Sequence, residues 1–455
     1  MKSCNPVNNE LIREYPGHSV EEVDTIIQSV QVAWEEWRGT SFEYRAGLFR
    51  SCAKILRNKK HIFAHLMTLE MGKLIRESEL EIEKCALVCD FYADQTAVLL
   101  KDEVIGSDAK KSFVTYQPLG IILAVMPWNF PFWQVFRFAA PSLMAGNAAV
   151  LKHASNVPGC ALAIEEIFQE AGFPTDLFRT LMIPSGIVDH VISHHHVKAV
   201  TLTGSEAAGS QVASLAGKYI KKTLLELGGS DPFIVLDDAD LVAAIKTAVT
   251  ARMINQGQSC IAAKRFIVMN SVAKAFEKGL FEAFRSLKPG DPMDPATQVG
   301  PLARPDLVDE IERQVNVSVA EGARLILGGK RMARPGCYYE PTILTEVRPG
   351  MRVYHEETFG PVATIIPVAS EEEAIHVAND SEFGLGGCVW TRDLSRGEMV
   401  ARKVMTGAMF VNGMTKSDPR LPFGGIKRSG YGRELGAIGI KEFVNAKTIW
   451  IGPAE

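Results

Sequence analysis

Short apolar runs alternating with helical stretches dominate this chain from Gly120 onward, and few folds accept such a pattern. Ile121–Met126 precedes a helical pattern from about Pro131 to Ala145, and Ala148–Lys152 precedes one at Pro158–Glu170. Phe178–Ile183, Val197–Leu202 with a helix at Glu206–Ala216, and Thr223–Leu227 extend the series. Strands this short and this uniformly apolar bury both faces, which calls for a parallel sheet with helices on either side. A second α/β series starts at Pro232–Leu236 and continues to about Gly425. It includes strands at Arg265–Met269, Val362–Pro367 and Gly407–Val411, and helices at Ala273–Arg285, Pro305–Glu321 and Glu371–Ala378. Parallel sheets bind ligands beyond the carboxyl ends of their strands, so the loops that follow strands are the ones to search.

The part before Gly120 reads differently. Residues 19–38 place Val23, Ile26, Ile27, Val30, Trp34 and Trp37 at helical spacing. A second helical pattern runs from Glu43 through Leu69 and stops near Gly72, and a third covers about Ile75 to Leu100. Ser112–Tyr116 alternates like a strand, and Glu442–Ile451 reads as an extended strand with no evident partner in its own region.

With 455 residues the chain can build two or three cores. A net charge of -4 gives no electrostatic reason to expect nucleic acid or an anionic membrane as partner. No run is long and apolar enough to span a bilayer, the first residues (Met1-Lys2-Ser3-Cys4-Asn5-Pro6) carry no apolar leader, and a cytoplasmic location is expected. Cys85 and Cys89 lie four apart on a predicted helix without a histidine pair to complete a site, so packing is the expected role. The run His194-His195-His196 points its side chains in different directions and is expected to be a solvated turn, and no metal site is expected.

Five loops carry candidate chemistry. Cys260 ends the polar, flexible stretch Asn255-Gln256-Gly257-Gln258-Ser259-Cys260, where a thiol can be reached by a substrate; the alternative is an inert loop cysteine. Glu226 sits at a strand end before Gly228-Gly229 and is either a general base with a raised pKa or a surface carboxylate. Asn129 follows another strand end and either donates to an oxyanion or caps the next helix. Gly204-Ser205 lies between strand and helix, as a phosphate-binding turn does, although no G-x-G-x-x-G fingerprint follows any strand. Lys152, at another strand end, is a candidate for a ribose hydroxyl or phosphate.

In their joint order, Pro127-Trp128-Asn129-Phe130-Pro131, Lys152, Thr203-Gly204-Ser205, Glu226-Leu227-Gly228-Gly229 and Gly257-Gln258-Ser259-Cys260 resemble the aldehyde dehydrogenase superfamily. Glu70-Met71-Gly72-Lys73, Glu356-Glu357-Thr358-Phe359-Gly360-Pro361-Val362 and Pro422-Phe423-Gly424-Gly425 match as well, so the resemblance spans essentially the whole chain. It implies an α/β fold with a Rossmann-type cofactor domain (1–107 and 119–228), an α/β catalytic domain (229–428) and a small β oligomerisation element (108–118 and 440–455) that would bridge a homodimer or homotetramer.

The resemblance also implies roles. Cys260 becomes the nucleophile, Asn129 an oxyanion donor and Glu226 the base that activates water against a thioester. Asn129 is a further cofactor-binding candidate, and Trp128 and the loop Lys152-His153-Ala154-Ser155 would surround the adenosine ribose of NAD or NADP. Gly204 and Ser205 would meet its pyrophosphate, and Leu227, Glu357 and Phe359 its nicotinamide half. Strictly NAD-using members often carry a glutamate where this chain has Ser155, so a 2′-phosphate is not repelled here and use of both cofactors is expected.

For the substrate, Arg137 shares a helix face with Asn129 and Trp133 and could clamp a carboxylate, as in succinate-semialdehyde dehydrogenases; the alternative is an arginine tied to a neighbouring acid. Ser417 and Phe423 are further substrate candidates. Better-known semialdehyde enzymes have a second arginine where this chain has Ile254, and Ala262 stands where some members place a protective cysteine. The expected substrate is a small aldehyde carrying a carboxylate, succinate semialdehyde first, with glutarate semialdehyde or an uncharged aliphatic aldehyde as alternatives. Glu226 argues against a CoA-acylating relative, and a thiol hydrolase would need a histidine base beside Cys260.

Overall fold

The computed structural model describes residues 1–452, so the last three residues of the expected oligomerisation element lie outside it. Its centre is a six-stranded sheet. From one edge the order is Gly430–Tyr431, Lys222–Glu226, Val197–Thr203, Ile121–Met126, Ala148–His153 and Phe178–Thr180. The last five strands are parallel, as their apolar runs require, and Gly430–Tyr431 joins antiparallel with Gly430 opposite Glu226. The first strand in sequence, Ile121–Met126, lies between the second and a later one. Strand order therefore reverses beside it, and a crevice opens beyond the carboxyl ends of Ile121–Met126 and Val197–Thr203.

A seven-stranded sheet follows in the order Arg324–Leu327, Thr342–Thr345, Val362–Val368, Ala263–Met269, Asp231–Val235, Cys388–Trp390 and Phe410–Val411. It is parallel apart from its first strand. The predicted helices are present within one to three residues at most ends. One correction concerns the second helical pattern, which is two helices, Phe42–Asn58 and Lys60–Met71, because Lys59 leaves helical geometry between them. Ser19 begins Val20–Trp37 with a capping box to Glu22.

Lys111–Pro118 and Val444–Ile451 pair with each other along their whole length, antiparallel, with Glu103–Val104 on the far side. The strand expected to lack a partner finds it across the chain. No helix among the described residues is long and apolar enough to cross a membrane.

Candidate active site

The helix Trp133–Met144 is buried throughout and packs beneath the central sheet's crevice. Its N-terminus is held by Glu81, whose carboxylate accepts from the backbone N–H groups of Phe132 and Trp133 at 2.9 Å each. Glu81 also pairs with the buried Lys73, whose ammonium donates to the carbonyl of Asn129 at 3.2 Å. A charge pair in the core thus fixes the loop that carries Asn129.

The loop carrying Cys260 is more tightly specified. Asn255, Gln256 and Gly257 take φ of 50°, 58° and 77°, three consecutive left-handed residues. Such a run is costly for residues with side chains and persists only where neighbours enforce it. Here the Asn255 N–H donates to Glu77, and its amide donates to the carbonyls of Asn129 (2.8 Å) and Gln258 (3.2 Å). A Cβ on Gly257 would come within 2.1 Å of the Gly360 carbonyl oxygen, so only glycine fits. The turn, the Asn129 loop and the Gly360 segment therefore lock together.

One cavity of about 370 Å³ lies over the crevice. Trp128, Asn129, Gly204, Ser205, Leu227, Cys260, Glu357 and Phe359 all line it, eight residues singled out in the sequence and now in one place. The Trp128 and Phe359 rings meet edge to face at 5.8 Å. Ser205 begins the helix Glu206–Lys218 and its hydroxyl accepts from Ala208, so the positive end of that helix faces the cavity beside a glycine. That arrangement suits a pyrophosphate, and the cavity has room for the nicotinamide half of a dinucleotide.

Cys260 is half-buried and its thiol pKa is pushed up to about 12, chiefly by burial, against the pull of Lys264 and Arg137. Lys264 is buried and was not anticipated from the sequence. Its ammonium donates to the carbonyls of Ser259 (2.7 Å) and Cys260 (2.6 Å) and pairs with Glu357 at 3.1 Å. Glu357 in turn accepts from the Gly229 N–H at 3.1 Å. The Asn129 amide donates to Gln258 O at 3.0 Å, leaving its second hydrogen unused.

Glu226 does not line this cavity. Its carboxylate is buried with neither oxygen hydrogen-bonded, and burial raises its pKa well above the ordinary range, with Arg137 opposing and Glu434 reinforcing. The bare Cα of Gly424 makes its chamber, since a Cβ there would sit 2.6 Å from Oε1.

Arg137 corrects an expectation. Its guanidinium is enclosed, ion-paired with Glu434, donates to Thr203 Oγ1 at 3.2 Å and lies over the Phe423 ring at 4.8 Å. The alternative of an arginine tied to an acid is what the structure contains, and both Arg137 and Phe423 lie outside the cavity. His153 is a second correction. Its ring is buried, accepts from Ala154 N at Nδ1 and donates from Nε2 to Pro131 O at 2.9 Å, which ties a strand end to a helix start and presents no side chain to a ligand. Burial holds its pKa down at about 4. Lys152 and Ala154 are partly buried near the same strand end, off the cavity wall.

Ser155 lines a neighbouring cavity of about 350 Å³ with Lys2, Asn9 and Arg304. Arg304 lines both cavities and sits over the Trp128 ring at 5.4 Å. Trp133 and Ile254 line a third cavity of about 270 Å³, and the buried Ser417 accepts from Lys84, which lines that cavity too.

A family pattern described as the aldehyde dehydrogenase family matches residues 1–449. The chain belongs to the aldehyde dehydrogenase family. Among curated members, it is 55% identical over 449 residues to a probable succinate-semialdehyde dehydrogenase (NADP+) of Synechocystis, covering 99% of each chain. It is 48% identical over 457 residues to a succinate-semialdehyde dehydrogenase (NADP+) of Mycolicibacterium paratuberculosis, covering 100% of this chain and 97% of that one. Among solved aldehyde dehydrogenase structures, a succinic semialdehyde dehydrogenase from Streptococcus pyogenes in complex with NADP+ superposes with a TM-score of 0.98 at 39% identity, covering 99% of this chain and 100% of the other. An NAD-dependent aldehyde dehydrogenase from Sinorhizobium meliloti superposes with a TM-score of 0.96 at 30% identity, covering 100% and 92%. The aldehyde dehydrogenase fold and its α/β class are thereby established for this chain.

Proposed function

We propose that this aldehyde dehydrogenase oxidises succinate semialdehyde to succinate through a thioester on Cys260, with NADP or NAD as hydride acceptor. The observation that carries the chemistry is the convergence of Cys260 and Asn129 with the Gly204–Ser205 helix terminus on one cavity. The substrate rests on the named relatives at 48% and 55% identity.

The Cys260 sulfur attacks the aldehyde carbon, and the free hydrogen of the Asn129 amide together with the Cys260 N–H receives the oxyanion, a contribution of roughly 3 kcal/mol per donor in other enzymes. When bound, the nicotinamide supplies the two-electron acceptor. Lys264 favours the thiolate form of Cys260 by its charge, against the cost of burial. Glu226, enclosed beside the cavity in this structure, has to turn its carboxylate toward Cys260 to take a proton from the water that cleaves the thioester, releasing the carboxylate product and regenerating the thiol.

Two features favour tolerance of a 2′-phosphate. Ser155 puts no negative charge at its position, and no acidic side chain lines its cavity; the Lys2 and Arg304 on that wall are themselves paired with Glu14 and Asp306. The same reading places the chain in the cytoplasm. It also assigns Lys111–Pro118 and Val444–Ile451 to a β element that joins two copies, because Val444–Ile451 is a largely exposed edge strand of a three-stranded sheet. The division at residues 107, 119, 228 and 428 belongs to it too.

The test is a panel of succinic, glutaric and uncharged aldehydes against both cofactors, with and without CoA, followed by reduced-cofactor absorbance. Succinate semialdehyde is expected to give the highest kcat/KM without CoA, and Cys260→Ala to give none. A requirement for CoA, or preference for uncharged aldehydes, overturns the proposal.

A further inference from the structure

Gln134 is the second residue of the buried helix Trp133–Met144, and it lines the same cavity as Cys260 and Asn129. The residue is buried, yet its amide oxygen Oε1 has no hydrogen-bond partner among the described residues. A buried acceptor without a donor is costly, so one on a cavity wall is a place for a molecule that brings a hydrogen. Of the other residues lining this cavity, only Asn129 leaves a buried side-chain oxygen in that condition, and its amide is already fixed by the bond to Gln258 O.

The surroundings of Gln134 lead to the base. Arg137 is three residues further along the helix, hence a neighbour on its surface, and donates to Thr203 Oγ1 at 3.2 Å. Thr203 lines the cavity and stands opposite Glu226 in the adjacent parallel strand. The stretch of wall formed by Gln134 and Thr203 thus adjoins the chamber of Glu226, with Cys260 on the same cavity. An aldehyde carbonyl, a thioester and a carboxylate offer only acceptors to such an oxygen, whereas water offers two hydrogens.

Resting on the thioester reading above, we infer that Gln134 is a positioning residue for the water that hydrolyses the thioester. Its Oε1 accepts one hydrogen of that water, the other is directed to Glu226, and a lone pair is left for the thioester carbon. The C–O bond forms as the second hydrogen passes to Glu226 as a proton. The C–S bond then breaks with its electron pair on sulfur, and the acid departs with the remaining hydrogen. A water held at two points needs no search for its angle of attack, which is where the rate gain lies.

Hydroxylamine competes with water for a thioester and converts it to a hydroxamate, so the ratio of hydroxamate to acid reports how well the water is placed. The ratio is counted per thioester formed, and a variant that folds poorly lowers both products without moving it. Gln134→Met, similar in length but without the acceptor, is expected to raise the ratio about tenfold and to lower steady-state kcat by a similar factor. Its burst of reduced cofactor and its KM for the cofactor are expected to stay near wild type. Gln134→Glu, which keeps an acceptor oxygen at the same length, is expected to return the ratio most of the way. An unchanged ratio in Gln134→Met overturns the inference, and a raised cofactor KM beside it gives Gln134 to the nicotinamide amide instead. Aldehyde oxidation by wild type without any hydroxamate overturns the thioester reading and this inference with it.

Discussion

The ammonium of Lys264 lies 2.6 Å from the carbonyl oxygen of Cys260, the residue whose thiol it influences most among the nearby charges. Because it also holds Glu357 on the cavity wall, one buried cation ties the nucleophile's turn to the ligand side of the cleft. Lys264→Met removes the charge that opposes burial of the thiolate. The pH profile of Cys260 alkylation by iodoacetamide is expected to move to higher pH, and KM for the cofactor to rise. Lys264→Arg, which keeps the charge, is expected to shift the alkylation profile less.

Glu226 offers two separable readouts. In rapid-quench experiments Glu226→Gln is expected to give a burst of reduced cofactor followed by a steady-state rate reduced about a hundredfold or more, since only thioester hydrolysis loses its base. Loss of the burst as well contradicts a role confined to hydrolysis.

The second readout is stability against pH. The folded-state pKa of Glu226 is raised, so the folded chain holds this proton more tightly than the unfolded chain does. The stabilisation is full below the ordinary carboxylate value of 4.5 and is lost as pH rises through the raised value. Glutamine cannot ionise, so the Tm of Glu226→Gln is expected to exceed that of wild type increasingly toward alkaline pH and to converge with it in acid.

Arg137 and Glu434 form a buried pair, and removing one partner strands the other charge. Arg137→Met is expected to cost roughly 3–5 kcal/mol in chemical denaturation. Because Arg137 lies off the cavity wall, it is expected to impair charged and uncharged aldehydes alike. A selective loss for succinate semialdehyde would return Arg137 to the substrate.

Ser155→Glu places a carboxylate beside a cavity whose charged walls are Lys2 and Arg304. Its kcat/KM with NADP is expected to fall by about two orders of magnitude relative to NAD, from repulsion of a doubly charged phosphate. Equal losses for both cofactors contradict a 2′-phosphate near Ser155.

Gly257→Ala forces a side chain into the Gly360 carbonyl at a backbone φ of 77°. A loss of at least about 2 kcal/mol is expected by urea denaturation, with turnover falling further than stability because the Cys260 turn moves.

Much of this was readable from residues in order. Apolar runs located every central strand of the first sheet because strands buried on both faces carry no other signal. The cleft residues were readable because each follows a strand end or stands in a glycine-rich turn. Pairings between distant segments were not. Gly430–Tyr431 is two residues long and its partner strand precedes it by some two hundred positions, so no local pattern announces it. Arg137 looked like a clamp because helix geometry gives the face a side chain occupies, whereas the acid waiting there comes from a remote loop. Lys84 and Lys264 sit in a helix and at the start of a strand, where a lysine usually means solvent; the burial of Lys264 and the partial burial of Lys84 beside Trp133 and Ser417 come from remote segments.

The closing of the Glu226 chamber by Gly424, Glu434 and the strand Gly430–Tyr431 has a bearing on how this enzyme comes into being. The nucleophile, the oxyanion donor and the base all precede residue 261, yet the walls around the base come from residues 424–434. A chain cut between the two carries every reactive group without that chamber, and it is expected to be inert toward aldehydes.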